Sequence, residues 1–336
     1  MKDLKALKAK ASYSDDYCLF GINFTVKFDS SLAREHYYNS NRHFKTVLSK
    51  EDSTNCDTYY VIYDSQPLVI IESETVSNLQ DIFLTGSNQR RFKLEKHNSY
   101  YTVTDSFLSD KSRIILKDNT CVILDTELWN SYAEHIIFNS ILFQIPNHYL
   151  LHAGVVSWKD QGIVICGASN MGKSTLTLKL VESGFKFLSD EVASIDLSSC
   201  ELSPFPRALG FRADTLAKFP ALKALNKTDS TKSLNGENKW SVDIEDIYPN
   251  SLGNKCQIRY LMFLNGFSKV PKLTPISKSE VLFESLKYSR TGEEDSFKHF
   301  MAMSNVVQKA ECYKFSLGNS DENVKLLKEL VTNCES

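Results

Sequence analysis

The segment Gly167-Ala168-Ser169-Asn170-Met171-Gly172-Lys173-Ser174 constrains this chain more than any other stretch. It fits the spacing GxxxxGK[ST] at every defined position. An apolar run, Ile163-Val164-Ile165-Cys166, precedes it and reads as a buried strand. A helical pattern over 173–183 follows, with Gly184 placed to stop it. Strand, glycine-bearing turn and helix together aim backbone N–H groups and the positive end of a helix at one anion. Lys173 adds a cation for the β- and γ-phosphates, and Ser174 offers a hydroxyl to Mg²⁺. Gly167, Ala168, Ser169, Asn170, Met171, Gly172, Lys173, Ser174 and Thr175 are therefore predicted to hold the triphosphate of ATP, with GTP as the alternative. The loop does not decide what becomes of the γ-phosphate, because hydrolysis, motion and transfer all use it.

The neighbours narrow the choice. Asp190 and Glu191 end a short apolar strand, Phe185-Lys186-Phe187-Leu188, soon after the predicted helix. That strand is expected beside the loop strand, so that its C-terminal end opens onto the same crevice. One carboxylate there can serve Mg²⁺ while the other takes a proton from an attacking hydroxyl. A solvated acidic pair in a turn is the plainer alternative. His152 starts the preceding strand, Gly154-Val155-Val156, and can tune a carboxylate or steer its proton. Arg207 lies in the stiff run Pro204-Phe205-Pro206-Arg207-Ala208-Leu209-Gly210. It either stabilises charge on the transferred group or is an ordinary loop arginine. His135 and His148 have no comparable context.

Composition removes other classes. A net charge of -2 over 336 residues leaves no electrostatic footprint for nucleic acid or an anionic membrane. No apolar run approaches the roughly 18 residues of a spanning helix, and the start, Met1 to Lys8, is charged throughout. A cytoplasmic protein is expected. The eight cysteines are scattered without metal-ligand spacing, so reduced thiols are expected.

The length suggests two domains. Residues 1–125 read as a mainly β (α+β) domain, from strand-like runs at 20–28, 57–63, 67–71, 91–94, 100–104 and 113–116. These carry polar turns such as Thr85–Gln89 and no helical stretches between them, which predicts an antiparallel sheet. From Thr126, a plausible N-cap, an apolar helical face runs to Pro146, and residues 126–336 form the second domain. The first domain is a candidate for acceptor or partner recognition, by strand addition at an open edge.

Taken together, His152-Ala153-Gly154-Val155-Val156, the run Gly167 to Thr175, Leu188-Ser189-Asp190-Glu191 and Pro204-Phe205-Pro206-Arg207 resemble the HPr kinase family. The likeness is strongest to its related branch encoded beside peptide-modifying enzymes. The resemblance implies an α/β fold with a phosphoenolpyruvate-carboxykinase-like P-loop kinase domain behind the smaller N-terminal one. It implies ATP-dependent transfer of a phosphoryl group to a hydroxyl, most naturally a serine of a protein or peptide. A small-molecule alcohol kinase and a nucleotide-binding regulatory module without transfer are the alternatives. By the same resemblance, Asp190 is the acid/base, His152 lies beside it, and Ser174 and Glu191 serve the metal; the reading of the residues adds Lys173 and Arg207 to the catalytic set, by positioning and charge neutralisation. The chain departs from the family in two places. Glu191 stands where a second aspartate is usual, and Phe205 stands where the family has an acidic residue. HPr itself is not carried over as substrate, and self-association into a homo-oligomer is left open.

Overall fold

The computed structural model describes residues 4–54, 56–62, 68–72, 92–96, 101–105, 113–117, 120–124, 129–142, 144–223, 231–232, 238–290 and 296–333. The chain divides into two compact units. One comprises Met1–Pro146 with Gly210–Ser241, and the other Asn147–Leu209 with Val242–Ser336. A division at 125/126 therefore differs from the observed one, which falls after the helix and returns 210–241 to the first unit.

In the first unit, β1 (Tyr13–Leu19) and β2 (Ile22–Phe28) form a hairpin. Phe20 and Gly21 form its turn, both with positive φ, at 49° and 84°. The predicted strand at 20–28 is thus shortened, because a two-residue turn of this hand matches strand twist. Helix α1 (Ser31–Asn41) follows, capped by the Ser30 hydroxyl accepting from the Ala33 N–H. It carries the chain across, so that β4 (Asp57–Ile62) pairs parallel to β2. The expectation of an all-antiparallel region without helices fails at this crossover. Counting β3 (Lys45–Thr46), β5 (Leu68–Glu72), β6 (Phe92–Lys96), β7 (Tyr101–Asp105), β8 (Arg113–Lys117) and β9 (Thr120–Leu124), the sheet runs β3-β1-β2-β4-β5-β9-β8-β7-β6. Helix α2 (Trp129–Leu142) ends before Pro146. Its Ser140 hydroxyl donates to the buried Tyr59 hydroxyl at 2.9 Å, tying it to β4. The expected N-cap Thr126 and turn Thr85–Gln89 lie outside the described residues.

The second unit is built on a mixed sheet. Its strands are β10 (His148–Leu151), β11 (Ala153–Trp158), β12 (Gln161–Cys166), β13 (Lys186–Ser189), β14 (Ala193–Asp196), β15 (Glu201–Ser203) and β16 (Cys256–Phe267). They are ordered β10-β14-β15-β16-β12-β11-β13. β17 (Lys272–Pro275) pairs with β18 (Glu311–Leu317), which lies parallel to β16. β11 and β12 form a hairpin through Lys159 and Asp160, both at positive φ. β12 and β16 are parallel; β12 from Gly162 on and the centre of β16, Tyr260–Leu264, are buried, and both stretches read as apolar runs. Helix α3 (Lys173–Glu182) leaves β12 through the loop and packs over β11. Helices α4 (Lys278–Leu286), α5 (Ser296–Lys309) and α6 (Ser320–Asn333) complete the unit. Among the described residues no helix is long and apolar enough to cross a membrane.

Candidate functional site

The loop between β12 and α3 has the backbone its glycines foretell. Asn170 and Gly172 sit at positive φ, 65° and 91°, on either side of Met171. The Met171 N–H donates to Ala168 O at 3.3 Å, closing the turn. Helical bonding begins with the Leu176 N–H to Gly172 O at 2.9 Å, so the N–H groups of Lys173, Ser174 and Thr175 stand ahead of the first helical bond. Gly172 caps the helix without a side chain. A Cβ on Gly167 would stand 2.9 Å from Leu264 Cβ, which explains why a glycine opens the loop. Ala168, Ser169 and Asn170 are exposed, whereas Lys173 is only 7% exposed. The Lys173 ammonium turns back on the loop and donates to Gly167 O at 2.7 Å and Ala168 O at 3.2 Å. Burial lowers its pKa, and the nearby Asp190 carboxylate works in the opposite direction. A buried ammonium bonded to carbonyls gains most from an added anion.

Asp190 follows β13. That strand pairs with β11, and β11 pairs with β12, so the acidic strand is separated from the loop strand by one. The expectation that the two are direct neighbours is corrected. The β11–β12 hairpin places the earlier strand between them, which a local reading of the α3 connection does not foresee. Gly154 on β11 makes this work. A Cβ there would fall about an ångström inside ordinary contact with the Thr177 hydroxyl of α3, and 3.7 Å from Asp190 Oδ1. The missing side chain lets α3 and the Asp190 carboxylate close on the same strand.

His152 stands just before β11, where its N–H donates to Tyr288 O at 2.7 Å. Its Nδ1 lies 3.0 Å from Glu191 O. A carbonyl can only accept, so Nδ1 carries the hydrogen and Nε2 remains an acceptor. Burial, with the positive charges of Arg290 and Lys173 added, pushes the imidazole down to about 4, against the opposing pull of Glu191. His152 is therefore neutral at physiological pH. Glu191 Oε2 receives Arg207 Nη1 at 3.0 Å. Arg207 is 12% exposed. The Ser189 hydroxyl accepts from the N–H groups of Glu191 at 3.2 Å and Val192 at 3.0 Å, fixing the acidic turn. Phe205 is fully buried, its N–H donating to Leu188 O at 2.8 Å.

Lys173, Asp190, His152, Glu191 and Arg207 thus form one connected cluster within the second unit. Ser174 is half-exposed at the start of α3. Sequence reasoning missed Arg290, whose charge reaches both His152 and Lys173. It is held by its N–H to Leu150 O at 2.8 Å, beside a bridge between Leu151 and Ser289. No motif surrounds Arg290, so tertiary pairing alone reveals it. Among the described residues, no group of three or more His, Cys, Asp or Glu forms a ready-made metal cage. The Ser174 hydroxyl at the start of α3 and the Glu191 carboxylate, which receives Arg207, are both hard oxygen donors.

No protein-family model and no curated protein sequence matches the chain. Among solved structures it is similar to the HPr(Ser) kinase/phosphatase from Coxiella burnetii, with a TM-score of 0.29 and 13% identity. That similarity covers 55% of this chain and 90% of the other. So slight a likeness carries no assignment, and the chemistry rests on the cluster itself.

Proposed function

We propose that the second unit is an ATP-dependent kinase transferring the γ-phosphoryl group to a hydroxyl, most naturally a serine of a protein or peptide. The observation that carries this reading is the pairing of a glycine-turned, helix-capped loop with a carboxylate, Asp190, close enough to act on the loop's buried lysine. Loop amides and Lys173 grip the β- and γ-phosphates. Asp190 takes the proton as the acceptor O–H bond breaks. The acceptor oxygen bonds to the γ-phosphorus, the bridging P–O bond breaks, and ADP leaves. Ser174 and Glu191 would hold Mg²⁺, which when bound neutralises phosphate charge. Neutral His152 positions the acidic turn through the Glu191 carbonyl, and Arg207 orients the Glu191 carboxylate.

The test is calorimetric binding of MgATP, followed by intact-mass measurement of a candidate acceptor. Lys173→Ala should weaken nucleotide binding about tenfold or more, as expected for loss of a charged donor. Asp190→Asn should keep binding and lose about 10²–10⁴-fold in transfer. Parent protein that takes up no MgATP, or an Asp190→Asn variant that transfers at the parent rate, overturns the proposal. A second reading, a nucleotide-sensing module without transfer, draws on the burial of Phe205, which supplies no acidic group. It predicts ATP uptake with no acceptor-dependent release of ADP.

A further inference from the structure

Phe267 ends β16 beside the phosphate loop, and its side chain is 70% exposed. A single exposed aromatic is unremarkable by itself. The backbone around this one is not. Register between β16 and β18 shifts between Leu264 and Phe267, so that Leu264 faces Phe315 and Phe267 faces Leu317. Three steps on one strand answer two on the other. Gly266, at φ +85°, supplies the extra residue of this bulge. Strict alternation would send Leu264 and Phe267 to opposite faces. The bulge restores Phe267 to the Leu264 face, and that face meets the loop. Leu264 Cβ lies 2.9 Å from the Cβ position of Gly167, and Leu317 Cδ1 lies 3.1 Å from that of Gly172. Phe267 Cε1 and Cζ lie 3.9 Å from the same Gly172 position. The ring thus stands at the glycine that opens the helix bearing Lys173, where buried Leu317 also approaches, and is largely exposed to solvent.

Resting on the triphosphate-binding reading above, we infer that Phe267 is the platform on which the nucleobase of the bound nucleotide stacks. The amides of 167–175 take the phosphates, and the sugar spans the interval to the ring. Aromatic stacking serves every base because each has a π-face, so this residue adds affinity for nucleoside over bare polyphosphate without choosing between adenine and guanine.

Calorimetry on the full chain with two probes, MgATP and magnesium tripolyphosphate, separates the inference from the reading beneath it. Phe267→Ala should weaken ATP about 5- to 100-fold and leave tripolyphosphate unchanged. Phe267→Tyr should restore ATP affinity. Phe267→Trp should show fluorescence quenching by ATP, absent from the parent and absent with tripolyphosphate. If the parent binds both probes and Phe267→Ala loses neither, or loses both equally, the platform is refuted while the phosphate site stands. If the parent binds neither probe, the triphosphate reading falls and the platform with it.

Discussion

Gly154→Ala tests the closest approach in the site. The added methyl would overlap the Thr177 hydroxyl by about an ångström, and Thr177 is fully buried on α3. Relief requires Thr177 to leave its present rotamer or α3 to shift, and both are resisted where the side chain is fully buried. Overpacking of this kind costs about 1–3 kcal/mol, offset by at most about 1 kcal/mol from the stiffer unfolded chain. Thr177→Ala removes the obstacle. Its hydroxyl has no hydrogen-bond partner among the described residues, so its loss alone should be mild, about 1 kcal/mol for the missing methyl. Urea unfolding of parent, both single variants and the double variant closes a cycle. The double variant should be more stable than the two singles summed, by about 1–3 kcal/mol. A Gly154→Ala protein as stable as the parent, or a double variant that recovers nothing, refutes the packing argument. The same substitution should also reduce transfer, because α3 carries Lys173 and Ser174 away from Asp190.

Three further tests follow from the geometry. His152 is pushed down to about 4, below its ordinary unfolded value near 6.5, so the unfolded chain takes the proton first. Stability from neutral His152 is complete above about pH 6.5 and is lost as pH falls toward 4, by at most about 3 kcal/mol, and His152→Gln should flatten urea midpoints across that window. An unchanged slope would count against a buried neutral imidazole. Gly184 ends α3 at φ +104°, with its N–H on Val181 O at 2.9 Å and the Phe185 N–H on Leu180 O at 3.1 Å. A Cβ there meets only Trp158 Cζ3, at 3.8 Å, so Gly184→Ala should cost about 1–2 kcal/mol through backbone strain alone. Gly184→Asn should cost less, and equal melting of all three proteins would contradict this. Arg207→Ala breaks an ion pair whose Glu191 side chain is 40% exposed, so stability should fall by no more than about 1 kcal/mol. A larger drop in the unfolding midpoint would assign Arg207 a mainly structural role.

What the amino-acid order determined by itself is local. The apolar run at 163–166, the glycines at 167 and 172 and the stop at Gly184 specify a strand, an anion-ready turn and a helix, because each depends on residues a few positions apart. Lys173 and Ser174 are placed by the same short range. Tertiary structure decided how distant segments meet. It set β11 between the acidic strand and the loop strand, made β2 and β4 parallel through α1, and shortened the first strand to make room for a hairpin turn. It brought Arg290 to His152, turned Arg207 onto Glu191, and used one extra residue at Gly266 to swing Phe267 toward the loop. Sheet pairing and charge proximity join residues tens to more than a hundred positions apart. They are chosen by which faces can be buried together, and no local periodicity records that choice.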